Sequence, residues 1–170
     1  MKANVNELPG GIETIFRAQY ARIAGVIARV VGDPARAEEL AVEVFLKLWR
    51  TRQAQGDKAE AWLYRAAVRM GLDELRRQTR RTRYERLAEL VRGTPTPEQI
   101  HAATEEKERV RMVLGLIESR QAELLLLRSH GLSYDEVAST LDLNPASVGT
   151  LLSRAQQAFR KEYMTRYGKD

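Results

Sequence analysis

Nine arginines lie between residues 62 and 92 (Arg65, Arg69, Arg76, Arg77, Arg80, Arg81, Arg83, Arg86 and Arg92), against four acids, a net +5. The flanks are almost balanced, at +1 over 1–61 and −1 over 93–170, so this stretch carries the whole formal charge of the chain. A guanidinium is permanently charged and presents a fork of donors that suits phosphate. A local basic stripe on an otherwise neutral chain therefore reads as a polyanion site. A solvated helix face is the plain alternative, because Arg is also a good helix former.

Other chemistries have little to work with. There is no cysteine, which excludes disulfide scaffolds, thiol nucleophiles and Cys-ligated metal centres. The two histidines, His101 and His130, are too few and too far apart for a HExxH helix or a metal cage. Ser133 lies close to His130 in sequence, but it is better explained as a helix cap. No phosphate-binding Gly loop, GxSxG elbow or triad is present. The expectation is a non-enzymatic protein without metal, cofactor or small-molecule substrate. No apolar run approaches the ~18 residues of a membrane span, and the N-terminus lacks an apolar signal core. A cytoplasmic protein with no direct membrane insertion is expected.

The basic stripe needs elements to hold it, and apolar spacing is helical throughout. Ile12, Ile15, Phe16, Ile23, Val26, Ile27 and Val30 form one stripe, predicting a first helix over about 11–31. Asp33-Pro34 is a start signal, an N-cap oxygen followed by a ring already suited to the first helical position. Leu40, Ala41, Val44, Phe45, Leu48 and Trp49 then form the broad inward face of a second helix. A polar break over Thr51–Glu60 precedes a third helix from near Lys58, with Trp62, Leu63, Ala66, Ala67 and Met70 inward and arginines elsewhere. No segment alternates with period two. The fold class is all-α.

Thr94-Pro95-Thr96-Pro97 holds two X-Pro steps, which disfavour helix and predict an extended linker. The chain divides into a first domain over 1–90, a linker over 91–108 and a second domain over 109–170. In the second, Val113, Leu116, Ile117, Ala122, Leu124, Leu125 and Leu127 predict one or two buried helices ending at Gly131. Ser133 and Glu136 form a capping box. A short helix buries Val137, Ala138 and Leu141; the chain turns at Asp142-Leu143, and Asn144-Pro145 restarts it. Val148, Leu152, Ala155 and Phe159 line the inside of the following helix. Short helix, three-residue turn and longer helix make a helix-turn-helix, although an αα-corner would share the pattern. The second helix would offer Ser147, Thr150, Ser153, Arg154 and Gln157 to a DNA groove.

These residues resemble a known family. Asp33–Leu40 leading into Val44-Phe45-Leu46-Lys47-Leu48-Trp49 is similar to the second conserved region of bacterial sigma-70 factors. Ala61–Ala67 with Leu72–Arg77 is similar to the adjoining promoter-melting segment. Gly131–Ala138, Ser147-Val148 and Ser153-Arg154-Ala155 resemble the fourth region. Two blocks in this order, joined by a short linker, match the extracytoplasmic-function group, which keeps only these two domains.

The resemblance implies roles. The helix bearing Glu39, Val42, Glu43, Leu46 and Arg50 would dock on RNA polymerase core enzyme. The loop 51–60 would capture a base flipped from the −10 strand. Lys58, Trp62, Arg65, Arg69, Met70, Asp73, Arg76, Arg77 and Arg80 would face −10 DNA, the arginines on phosphates, which position without reading sequence. Ser147, Thr150, Ser153, Arg154 and Gln157 would meet a −35 duplex. Partners would be core polymerase, promoter DNA and an anti-sigma factor. Departures are specific: Val42 replaces a frequent Gln, Met70 a frequent Asn, Asp142 the usual turn Gly, and Gly149 and Leu151 the usual basic residues. A weak −35 contact is expected, with promoter engagement leaning on the first domain. The alternatives are a helix-turn-helix regulator or a sigma-like decoy that binds partners without initiating.

Overall fold

The computed structural model describes residues 10–92 and 102–168 of the 170-residue chain. Among the described residues the structure is helical without strands. Its elements are α1 (Gly10–Val31), α2 (Pro34–Arg50), a 3-10 turn (Arg52–Ala54), α3 (Ala59–Arg92), α4 (Ala102–Leu116), α5 (Ser119–Ser129), α6 (Tyr134–Leu141) and α7 (Pro145–Tyr167).

Helices α1, α2 and α3 form the first lobe. Ile23, Ile27 and Val30 meet Val44 and Leu48, and Leu63, Val68 and Leu72, all buried. The Asp33 carboxylate accepts the Arg36 N–H at 3.1 Å and Pro34 opens α2, as the sequence predicts. Gly32 closes α1 in the left-handed region at φ 76°, where a Cβ would come within 2.6 Å of the Arg111 guanidinium carbon on α4. Glycine takes this left-handed conformation without strain, and the guanidinium, the end of a flexible side chain, lies directly over it.

Helices α4–α7 form the second lobe, with the helix-turn-helix in α6 and α7. The Glu136 N–H donates to Ser133 Oγ at 3.2 Å and the Ser133 N–H to Glu136 Oε2 at 2.6 Å, completing the capping box. Asp142 makes the turn at φ 58°, ψ 48°, a conformation Asp tolerates better than most residues. The Asn144 side chain accepts the Ala146 N–H at 3.0 Å and Pro145 opens α7. Along α7 Phe159 stacks on Tyr163 and Tyr163 meets Tyr167 at a 57° tilt, and Tyr163 donates to Glu106 of α4 at 2.9 Å.

Three expectations change. Trp49 is 47% exposed instead of inward, because it shares a helix face with Val42 and Leu46 at i, i+4, i+7. Leu116 is likewise exposed, at the last residue of α4. Residues 102–108, read as linker from the X-Pro steps before them, are helical in α4, with Glu105 in its first turn, where the helix dipole favours an acid. The Thr94–Pro97 linker lies outside the described residues.

Candidate nucleic-acid interface

Along α3, Trp62, Arg65, Arg69, Asp73, Arg76 and Arg80 recur at i, i+3, i+7, i+11, i+14 and i+18, one face of the helix. The second lobe packs on that face. Arg65 donates through Nε to the Thr140 carbonyl near the end of α6. Arg69 Nε donates to Glu123 Oε1 on α5 at 2.9 Å. Arg76 donates to the carbonyls of Gly115 (3.2 Å) and Ile117 (3.4 Å) and to Ser119 Oγ (2.8 Å), bridging the end of α4 and the start of α5. Besides the Ser119 hydroxyl, these acceptors are carbonyls at helix C-terminal ends and a carboxylate, the negative groups that complement a guanidinium. Behind them, Leu72 and Leu75 belong to the same continuous core as Val113, Leu114 and Ile117.

The other residues expected at −10 DNA are distributed differently. Lys58, Asp73 and Arg80 are exposed and Trp62 is half-buried against the core. Met70 turns toward α2, its sulfur 3.8 Å from Lys47 Nζ. Arg77 is bonded to the buried Glu74 at 2.6 Å, and Arg36 reaches the same oxygen at 3.3 Å. Burial pushes the Glu74 carboxyl upward, but the hydrogen bonds from Arg77 and Arg36 outweigh it and hold it below the usual carboxylate range.

The loop before α3 is fixed by Gln55, whose amide donates to the Leu48 and Trp49 carbonyls at 3.1 and 3.0 Å. Against it lies a cavity of about 240 Å³ lined by Thr14, Ile15, Ala18, Gln19, Gly56, Asp57, Ala59 and Glu60. Gln19 Oε1 is buried there without a hydrogen-bond partner.

On α2, Glu39 and Glu43 are exposed beside a stripe of Val42, Leu46 and Trp49 that stands 44, 41 and 47% open. On α7, Ser147, Thr150, Ser153, Arg154 and Gln157 all face outward, while Val148, Leu152 and Ala155 are buried. A methyl on Gly149 would meet the Tyr134 ring at 3.4 Å, an ordinary van der Waals contact.

Two participants escaped the sequence reading. Trp49 extends the α2 stripe at i+7 from Val42, but the same spacing also fits the inward face, so periodicity alone did not separate the two. Glu123, a lone acid in the apolar run Ala122-Glu123-Leu124, is only 6% exposed and holds Arg69 together with Arg120. Its partner on another lobe had no local signal.

Residues 15–81 match the model of Sigma-70 region 2, and residues 107–158 that of Sigma-70 region 4. The ECF RNA polymerase sigma factor SigE of Mycolicibacterium smegmatis is 27% identical over 164 residues, 93% of this chain and 63% of that protein. SigK of Mycolicibacterium vanbaalenii is 30% identical over 154 residues, 83% and 76% respectively. This chain thus spans just under two thirds of the SigE length and three quarters of the SigK length. Among solved structures, the sigma factor RpoE in complex with the anti-sigma factor NepR from Bartonella quintana superposes with TM-score 0.51 at 16% identity, covering 88% of this chain and 94% of that one. CnrH in complex with the cytosolic domain of CnrY gives TM-score 0.56 at 18% identity, over 88% and 85%. These two likenesses bear on the fold. Two sigma regions matched in order over more than half of the sequence, with a relative at 30% identity, make this chain a member of the extracytoplasmic-function family of sigma-70 RNA polymerase sigma factors.

Proposed function

We propose that this sigma factor acts in the cytoplasm as a non-enzymatic subunit that joins core RNA polymerase, holds the opened −10 strand on the arginine-bearing face of α3, and touches −35 DNA lightly through α7. The observation that carries the reading is the single-faced array Arg65, Arg69, Arg76 and Arg80 on one helix of a region 2 domain. Cations in a row suit a backbone, and a strand held that way binds with strong salt dependence. The α2 stripe of Val42, Leu46 and Trp49, flanked by Glu39, Glu43 and Arg50, supplies an amphipathic surface for core polymerase. The cavity beside the loop is roomy enough for one base edge, with Asp57 and Glu60 as acceptors. The outward polar residues of α7 are mostly neutral, which supports a weak duplex contact. Both solved neighbours were captured with an anti-sigma factor or a cytosolic protein domain, and a comparable inhibitor is part of this proposal.

Co-purification with core enzyme, followed by run-off transcription from a promoter library, tests the reading. Core binding with specific run-off products is expected. Failure to bind core would indicate a helix-turn-helix regulator, and binding without initiation a decoy.

A further inference from the structure

We infer that the second lobe is an internal competitor for the strand site: Glu123 and the carbonyl ends of α4 and α6 occupy Arg65, Arg69 and Arg76 in the place of phosphates. This rests on the proposal that the α3 face binds the −10 strand. Three of the four arginines in that array are spent on contacts within the chain. Each acceptor is an anionic or partially anionic oxygen. Arg69 meets a carboxylate at 2.9 Å, Arg76 meets the carbonyls at the end of α4, and Arg65 meets a carbonyl in the last turn of α6. Arg80, the fourth, is exposed and lies beyond these contacts.

The closed state is built to be reversible. Glu123 has a second partner in Arg120, 3.4 Å away on its own helix, so opening does not strand a buried carboxylate. Arg120 also donates to the Leu141 carbonyl at 2.8 Å and keeps the end of α6 satisfied. The recognition residues of α7 face outward even when the lobes are closed. Closure therefore masks the strand site selectively. A ligand that binds only the open form has its affinity reduced by the fraction of molecules that are open. A charge-neutral Glu123 raises that fraction and with it the apparent affinity.

The test uses the full chain and a fluorescent oligo-dT probe of 20 nucleotides, followed by anisotropy. The chain has no cysteine, so Arg52→Cys and Gln156→Cys, both exposed sites on different lobes, report lobe separation through a dye pair in a parallel sample. Glu123→Gln is expected to bind the probe about 5-fold tighter or more, from the open-fraction relation, with lower energy transfer between the dyes. Ser119→Ala, which removes an acceptor of Arg76 at an exposed position, should move both readouts the same way. Asp135→Asn, a matching loss of charge at an exposed residue with no ion pair to the α3 arginines, is the control for general electrostatics and should change affinity by less than about 2-fold. If Glu123→Gln and Ser119→Ala bind like the parent, or no tighter than Asp135→Asn, internal competition is wrong. Joint replacement of Arg65, Arg69 and Arg76 by Ala separates the two ideas. Lost binding in that variant keeps the strand site whatever Glu123→Gln does, whereas unchanged binding removes the strand site and the competitor together.

Discussion

Glu74 shows how one side chain sets both local geometry and acid sensitivity. It is buried at 7% exposure, joins α2 to α3 through Arg36 and Arg77, and has a carboxyl held below its ordinary range. Glu74→Gln keeps the shape and removes the charge, and is expected to cost about 1–2 kcal/mol, since both arginines can turn to water. Because the folded carboxyl titrates below its unfolded value, its stabilising effect is complete above about pH 4.3 and is lost as pH falls through the folded value. His130 acts at higher pH. Burial pushes its imidazole below the ordinary value, more than the hydrogen bond to the Leu126 carbonyl raises it, and the charge of Arg29 pushes the same way. Unfolding therefore takes up a proton, and stability begins to fall as pH drops below about 6.5, levelling off below the folded value. Urea midpoints measured from pH 8 to pH 3 should show two limbs. His130→Asn should flatten the upper limb and Glu74→Gln the lower; a variant that leaves its limb intact refutes the assignment.

At the scale of the helix, the caps were the most legible features, because an N-cap is a local event written in adjacent residues. Asp33-Pro34, Ser133 with Glu136, and Asn144-Pro145 each hold the bond their types call for. Ser133→Ala should lower the melting free energy by about 1 kcal/mol. Asp142→Gly should leave stability unchanged or raise it by up to about 1 kcal/mol, because the left-handed turn strains any residue with a Cβ. Thermal denaturation checks both, and a destabilised Asp142→Gly would point to a side-chain role in the turn. What periodicity could not resolve was which edge of an apolar stripe stays open. Val42, Leu46 and Trp49 read as helix-face residues, yet only the packing of α1 and α3 against the neighbouring face leaves them exposed. Leu46→Asp places a charge in the middle of that stripe without entering the core. It should reduce retention on immobilised core polymerase at least 10-fold while leaving circular dichroism unchanged; undiminished retention would move the docking surface elsewhere.

Across the whole molecule, the uneven charge division was readable from composition, and the meeting of its two parts was not. The +5 stretch of 62–92 showed in the sequence, but the pairing of Arg69 with Glu123 joins residues 54 positions apart, beyond any local pattern. That pairing has a thermodynamic consequence for salt. Strand binding by Z phosphate contacts gives a slope of log K against log salt of about −0.7Z. In the parent chain one of those arginines already has its charge compensated by Glu123, so exchanging Glu123 for a phosphate releases fewer counterions. Removing the Glu123 charge restores the missing release. The slope for oligo-dT, measured between about 50 and 300 mM NaCl, should therefore be steeper for Glu123→Gln than for the parent by about 0.7, one contact's worth. The tighter binding of the variant should in consequence be greatest at low salt and shrink as salt rises. Equal slopes with a constant affinity ratio would mean that Glu123 restrains the lobes without competing for the charge of Arg69.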